Sequence, residues 1–342
     1  MKRPPVQPDP PARRVGTVAA ALLLASVVFL CLAIAVGSTG FESILMLRQD
    51  PVAWQIVVDI RAPRALGAWL AGALLGLAGA VAQGLFRNPL ADPYLLGSAS
   101  GASLGVAVAL VASGATPFAG EWLVQLGLTG AAFVGAVAAV LLTLLLARGV
   151  GHSLRLLLAG VVVGVVLGAL GQLIMMLRPD VMLSMQAFSL GSTSFVGWSA
   201  CALMAGAWIA GALVAWALAS VLDGLSLGEA TAISLGLPLP QLRAALIVVL
   251  ALATGTAVAQ TGLIAFVGLA APHLVRSIVK TRHQNFILLS SLMGALLLLV
   301  ADGLARSLVA PQELPVGVLT AVLGGGYLLW LLQRPGTRGG LL

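Results

Sequence analysis

The sequence predicts an all-α integral membrane protein with about ten transmembrane helices. Hydrophobic residues make up 60% of its 342 residues and charged residues only 8%, whereas soluble domains carry roughly 25% charged residues. A surface this apolar requires lipid as its solvent. The 41 glycines agree with this prediction, because small residues allow membrane helices to approach one another closely.

Ten stretches are apolar over close to the 20 residues that a spanning helix requires. The first is too long for the apolar region of a cleaved signal peptide, so we expect it to be retained. The segment 264–279 is short and could be partly re-entrant. The predicted spans are 15–36, 64–84, 93–112, 123–147, 154–176, 196–218, 242–262, 264–279, 286–304 and 316–333.

The distribution of basic residues predicts the orientation of these helices. With the N-terminus inside, 13 of the 18 Lys and Arg residues fall on the inner side and 5 on the outer side, as the positive-inside rule requires. Both termini are then cytoplasmic. We expect a disordered cytoplasmic tail over 1–14, one transmembrane domain over 15–333 with an inner loop at about 219–241, and a second cytoplasmic tail over 334–342.

Several classes of function are disfavoured by what the sequence lacks. The net charge of +7 comes without a basic stripe interleaved with aromatic residues, so we expect no nucleic acid partner. There is no GxxxxGK[ST] loop, so we expect neither an ATP site nor another cofactor in this chain. His152, His273 and His283 are all predicted on the cytoplasmic side, and we expect no metal site along a pathway.

The motif Arg61-Ala62-Pro63-Arg64 lies at the predicted outer start of the second helix. Two exposed cations there would suit docking of an acidic protein surface. Anchoring to lipid headgroups is the alternative interpretation.

Further motifs follow in a fixed order along the chain. They read GLFRNPLADPYLLGSASGA at 84–102, GLIAFVGLAAPHLVR at 262–276, ADGLAR at 301–306 and ELPVGVLTAVLGG at 313–325. Together with the motif at 61–64, they make the chain resemble the FecCD-type (BtuC-like) permeases of bacterial iron-chelate, haem and cobalamin ABC importers. The resemblance extends over about residues 15–333.

The resemblance implies a BtuC-like type II permease fold and a homodimer in the bacterial inner membrane. It also implies two ABC ATPase subunits, which would bind and hydrolyse ATP, and a periplasmic substrate-binding protein. Arg61, Arg64 and Arg306 would dock on glutamates of that binding protein. The transported ligand would be a metal chelate, with a ferric siderophore or haem favoured and cobalamin as the alternative.

The loop between the sixth and seventh predicted helices would couple the permease to its ATPase, by the same resemblance. From the residues alone, Ser226 can cap a short helix with Glu229 as its capping-box partner, and Gly236 can end that helix. An interfacial loop helix is the alternative. The residues assigned to coupling are Ser226, Leu227, Gly228, Glu229, Ala230, Leu235 and Gly236.

Polar and flexible side chains within the predicted spans have two open interpretations. They can hydrogen-bond or fill gaps between helices, or they can line the pathway. The candidates are Gln83, Gln172, Gln260, Met175 and Met176. The sequence Ala-Val-Ala-Gln occurs at both 80–83 and 257–260, which is either a trace of an inverted repeat or a coincidence.

A proton-driven secondary transporter is the alternative from a different class. It would be expected to carry buried acids in the middle of its spans. Asp302 comes nearest to this position, but it is predicted near the outer end of the ninth helix. The sequence therefore favours the ABC importer.

Overall fold

The computed structural model describes residues 12–37, 40–41, 50–114, 122–147, 153–234 and 238–333, so most of the two predicted tails lies outside it. The helices are α1 Ala12–Ala35, α2 Pro51–Ile56, α3 Ala62–Leu85, α4 Ser98–Ser113, α5 Trp122–Leu146, α6 Ser153–Leu177, α7 Pro179–Leu190, α8 Trp198–Ala217, α9 Ala219–Ser226, α10 Glu229–Ser234, α11 Leu239–Thr261, α12 Val267–Ile278, α13 His283–Ser307 and α14 Val316–Gln333. A π-helical turn, Val57–Arg61, joins α2 to α3, and a 3₁₀ turn, Pro93–Leu96, precedes α4. Two-residue strands, β1 Val36–Gly37 and β2 Gly40–Phe41, pair antiparallel.

The all-α membrane fold is confirmed. Within the described residues, seven helices are long and apolar enough to cross a membrane, and α4 and α14 are shorter apolar helices. With α12, these helices account for all ten predicted spans. Because α12 has twelve residues, it extends about 18 Å at 1.5 Å per residue, which is less than the roughly 30 Å of a bilayer core.

The second span differs from its prediction at the outer side. Helical structure runs without interruption from Pro51 to Leu85, so Arg61 and Arg64 lie within a helix rather than at its start. The π-helical turn explains how Pro63 is accommodated there. The Ala62 amide donates to the Val57 carbonyl, five residues back, and such a widened turn relieves the clash and the lost hydrogen bond of a proline inside a helix.

Two other regions also depart from the predictions. The third span begins at Ser98 rather than at 93, because Asp92 caps a 3₁₀ turn that ends at Gly97 with a φ of 75°. The segment 177–195, which connects the fifth and sixth predicted spans, contains a helix, α7, which begins with Pro179 in its first turn. Proline is favoured at that position because its fixed φ suits a helix start.

Helix α3 forms the centre of the bundle. It is buried along nearly its whole length and packs against α1, α8, α11, α12 and α13. A Cβ atom on Gly72 would collide with the Gly294 carbonyl of α13, and one on Gly76 with the Ser290 carbonyl. The missing side chains therefore allow the backbones of α3 and α13 to touch.

The two ends of α3 define the two ends of the bundle. We call the end at which α3 carries Arg64 the Arg64 end. There, Arg306 of α13 donates to the Ala33 carbonyl of α1 over 3.0 Å. At the opposite end, which we call the His283 end, Gly84 lies beside Leu222 of α9 and His283 of α13. The predicted orientation places the Arg64 end in the periplasm and the His283 end in the cytoplasm.

We expect Gly76→Ala to destabilise the protein, because the added methyl group would force α3 away from α13. Overpacking of this kind typically costs about 1–3 kcal/mol. Gly206→Ala on α8 is the matched control, since no atom lies within 4 Å of the place that its Cβ would occupy and alanine favours a helix. Thermal unfolding of the two purified variants would test this, and equal midpoints would contradict the packing argument.

Candidate functional site

Four charged side chains meet at the Arg64 end. The Arg64 guanidinium is 3.1 Å from the Asp302 carboxylate and donates to both Glu313 carboxylate oxygens over 2.9 Å. Arg306 lies 3.1 Å from the other Asp302 oxygen, and the Thr193 hydroxyl donates to Asp302. We call Arg64, Asp302, Arg306 and Glu313 the arginine cluster. It contains two positive and two negative charges, so its formal charges balance.

Most of the arginine cluster is buried. The side chains of Arg64, Arg306 and Asp302 are 9%, 8% and 0% exposed, and only that of Glu313 is substantially exposed, at 38%. The expectation of an exposed cation is therefore wrong for Arg64, and Arg306, which the resemblance assigned to docking, is buried as well. The sequence placed Asp302 near the outer side, but it gave no sign that α3 packs against α13 and brings Asp302 to Arg64.

Arg61 lies in a different environment from Arg64. It is partly exposed in the π-helical turn, and its guanidinium donates to the Ile34 carbonyl of α1 over 3.5 Å. The surface at this end thus includes the partly exposed Arg61 cation and the exposed part of the Glu313 carboxylate. The docking roles of Arg61, Arg64 and Arg306 remain predictions.

The predicted coupling loop forms two short helices at the His283 end. Ser226 is the last residue of α9 and donates to the Asp223 carbonyl over 2.6 Å. Glu229 begins α10 and accepts a hydrogen bond of 2.9 Å from Arg243 of α11. The predicted capping box between Ser226 and Glu229 is therefore wrong, because each side chain has another partner and Gly228 turns the chain with a φ of 109°.

The ion pair with Arg243 ties α10 to α11. The hydrogen bond from Arg243 lowers the pKa of Glu229 below its usual value, so the carboxylate stays charged at neutral pH. Leu227 and Ile233 are 69% and 59% exposed, so α10 and the turn that precedes it present apolar side chains to their surroundings. Leu235 and Gly236 lie outside the described residues.

Two of the predicted pathway residues make hydrogen bonds between helices. Gln83 donates to the Leu269 carbonyl of α12 over 3.3 Å and accepts from Arg276 over 2.6 Å. Gln260 of α11 donates to the Thr129 hydroxyl of α5 over 2.5 Å. These contacts agree with the first of the two interpretations, in which membrane glutamines join helices. The pair of Gln83 with Arg276 was not foreseen from the sequence, since 193 residues separate them.

Helix α6 carries the other pathway candidates. Gln172 and Met176 are exposed, whereas Met175 is half-buried against a core cluster that includes α4 and α5. Only 11% of the most apolar window of α6 is buried, against 89% for that of Pro51–Leu85. Helix α6 therefore lies at the periphery of the single chain.

The repeated Ala-Val-Ala-Gln sequences lie at opposite ends of the bundle. Gln83 is near the end of α3 at the His283 end. Gln260 is near the end of α11, where the Thr261 carbonyl accepts from the Ser192 amide over 2.8 Å. The Ser194 hydroxyl in the same segment donates to Glu313 over 3.1 Å, which places Gln260 at the Arg64 end. This is the arrangement that an inverted repeat requires.

Comparison with known proteins decides the family. Residues 22–334 match the FecCD transport family. The chain belongs to this family. It is a multi-pass membrane permease of the type found in ABC importers of metal chelates, haem and cobalamin.

Three relatives illustrate the range of this family. The chain is 37% identical to the hemin transport system permease protein HmuU of Yersinia pestis, over 93% of this chain and 97% of that protein. It is 36% identical to the Fe(3+) dicitrate transport system permease protein FecD of Escherichia coli, over 82% and 86% of the two chains. It is 38% identical to the vitamin B12 import system permease protein BtuC of Salmonella typhi, over 85% and 86%.

Solved structures agree with the fold. A metal-chelate type ABC transporter in an inward-facing conformation superposes with a TM-score of 0.81 at 28% identity, covering 93% of this chain and 99% of that one. PsaBC from Streptococcus pneumoniae superposes with a TM-score of 0.60 at 19% identity, covering 86% and 96%. The second likeness supports the fold alone.

We expect Asp302→Asn to destabilise the protein strongly, because it removes the carboxylate that lies between Arg64 and Arg306. Breaking a buried ion pair on one side typically costs about 3–5 kcal/mol. The measurement is the thermal unfolding midpoint of the purified chain. Asp180→Asn is the control, because Asp180 and Arg178 form an exposed pair and such pairs contribute little. An unchanged midpoint for Asp302→Asn would contradict a structural role for the arginine cluster.

Proposed function

We propose that this chain forms the translocation pathway of an ABC importer for a metal chelate, with haem as the first candidate ligand. The observation that carries the proposal is the match to a hemin permease over 93% of this chain and 97% of that protein. The dicitrate and vitamin B12 permeases align over smaller shares. A ferric siderophore and cobalamin are the alternative ligands.

The proposed transporter is a homodimer in which α6 faces the partner copy. Helix α6 is the least buried of the seven long helices, yet it exposes the amide of Gln172. An amide that faces lipid would leave its donors and acceptors unpaired, which is costly. A pathway between two copies would place Gln172 and Met176 against water or ligand instead.

The energy would come from two partner ATPase subunits that bind at the His283 end. Leu227, which directly follows α9, and Ile233 of α10 expose apolar side chains there. Their connection to the membrane helices is direct, because Glu229 pairs with Arg243 of α11. A movement of α10 would therefore be transmitted to a helix that crosses the bundle.

A periplasmic binding protein would deliver the ligand at the Arg64 end. Arg61 is the partly exposed cation of the three predicted docking residues, so we assign it the direct contact with a carboxylate of the binding protein. Arg64 and Arg306 are neutralised by Asp302 and Glu313. In the conformation described, these two arginines would hold the docking surface in place rather than bind the partner.

The test is uptake into liposomes that contain the chain, its ATPase and its binding protein. We expect uptake of haem that depends on ATP and exceeds uptake of ferric siderophores and cobalamin. A larger ATP-dependent uptake of another chelate would reassign the ligand and keep the importer. Uptake driven by a proton gradient without ATP would contradict the importer and support a secondary transporter.

In the same liposomes, we expect Arg61→Glu to reduce uptake by weakening the association with the binding protein. The reversed charge would repel the acidic partner and chiefly slow its association. Binding is measured directly between the two purified components. Arg178→Glu is the matched control, because Arg178 is an exposed cation of the segment that leads into α7. Equal affinities of the two variants would contradict the assigned docking contact.

We expect Glu229→Gln to uncouple ATP hydrolysis from transport, since it removes the ion pair between α10 and α11. ATPase activity stimulated by the loaded binding protein should fall, while assembly with the ATPase is retained through the apolar contacts. Arg14→Gln, which removes an exposed positive charge near the start of α1, is the control. If the loaded binding protein stimulates the ATPase activity of the Glu229→Gln variant as strongly as that of the wild type, this ion pair has no role in coupling.

A further inference from the structure

A cavity of about 530 Å³ opens at the His283 end, and the transport mechanism above does not use it. It lies where α3, α12 and α13 reach this end, beside the last residue of α9. Its lining includes Arg87, Arg276, Lys280 and His283, together with Ser226 and Phe286. This end of the bundle is the one predicted to face the cytoplasm.

The described lining of this cavity is strongly cationic. Arg87, Arg276 and Lys280 are basic side chains, and no Asp or Glu is among the lining residues. Asp223 lies close by, but it accepts from the His283 amide over 3.1 Å and lies 2.6 Å from the His283 ring nitrogen Nδ1. Glu229 is paired with Arg243. Asp223 is thus held by His283, itself a lining residue, and Glu229 is held chiefly by Arg243 and attracted by Arg87, so neither carboxylate is among the lining residues that would meet a ligand.

Arg276 is fixed in place by contacts that do not neutralise its charge. One of its N–H groups donates to the Gln83 side-chain oxygen over 2.6 Å. Its guanidinium carbon lies 4.4 Å from the centroid of the Phe286 ring. An amide and an aromatic ring are both neutral, so the guanidinium is oriented by its partners but keeps a positive charge that an anion could neutralise. A planar guanidinium of this kind matches the oxygens of a phosphate group.

The position of the cavity indicates which phosphate it would meet. It lies at the ends of membrane helices, and its wall also contains the apolar side chains of Phe286 and Val279. The cytoplasmic leaflet carries anionic lipids, and basic pockets between helices on that side bind their headgroups. A phospholipid headgroup would place its phosphate beside the cations and its glycerol against the apolar wall.

We propose that this cavity binds the phosphate group of an anionic phospholipid through Arg276, Lys280 and Arg87. The bound headgroup would bridge α3, α12 and α13, and it would lie next to Ser226 at the start of the predicted coupling segment. The proposal does not depend on which chelate is transported. Soluble phosphate shares the recognised group and is distinguished in the test.

The test uses native mass spectrometry of the purified full-length chain incubated with phosphatidylglycerol or with phosphatidylcholine. We expect phosphatidylglycerol to bind in preference, and Arg276→Gln to weaken it by about tenfold or more, since a charge-assisted contact is lost. Arg14→Gln is the matched control, because it removes an exposed cation of α1 that lies outside the cavity. Equal binding by the wild-type chain and the Arg276→Gln variant would overturn the proposal.

Two further arms keep the test decisive. Lys280→Gln changes an exposed side chain, so it provides the same test if Arg276→Gln does not fold, and unchanged binding there would also count against the site. Competition by inorganic phosphate should displace phosphatidylglycerol. If inorganic phosphate binds and phosphatidylglycerol does not, the cavity binds soluble phosphate, and the lipid proposal is overturned. If only the association with the ATPase is weakened in Arg276→Gln, the cavity serves a protein partner, and the lipid proposal is overturned.

Discussion

The close contact between the backbones of α3 and α13 is the constraint on which the rest of the structure depends. Gly72 and Gly76 leave no side chain between the two helices, so Gly294 and Ser290 of α13 lie directly against them. Such contact fixes how far one helix can slide along the other, because a shift would bring side chains into the place of glycines. The arrangement of side chains at both the Arg64 end and the His283 end depends on this register.

At the Arg64 end, the register places the α3 arginine beside Asp302 and within reach of Glu313. The desolvation cost of burying two arginines is offset because two carboxylates pair with them, and one of these, Asp302, also accepts from the Thr193 hydroxyl. The arginine cluster therefore joins α3, α13 and the segment before α14 into one unit. A binding protein that contacts Arg61 or Glu313 would therefore bind to a surface held by this unit rather than to a flexible loop.

At the His283 end, the same register brings Gln83 to Arg276 and Gly84 to His283. The short helices α9 and α10 are tied to this end by two side-chain contacts, between Asp223 and the His283 ring and between Glu229 and Arg243. The proposed lipid cavity lies between these attachments. A bound headgroup would thus lie beside Ser226, at the start of the segment proposed to contact the ATPase, so the composition of the membrane could affect the proposed coupling.

The sequence by itself determined the membrane class, the ten apolar segments and the family, because these follow from local hydrophobicity and from motifs that are continuous in the chain. It also identified Arg61, Arg64 and Arg306 and placed them on one side. It did not determine that Arg64 and Arg306 are buried with Asp302, that Glu229 pairs with Arg243 rather than with Ser226, or that Arg276 meets Gln83. These pairs are distant in sequence, or they compete with a plausible local partner. Only the packing of helices in three dimensions decides which partner is within reach.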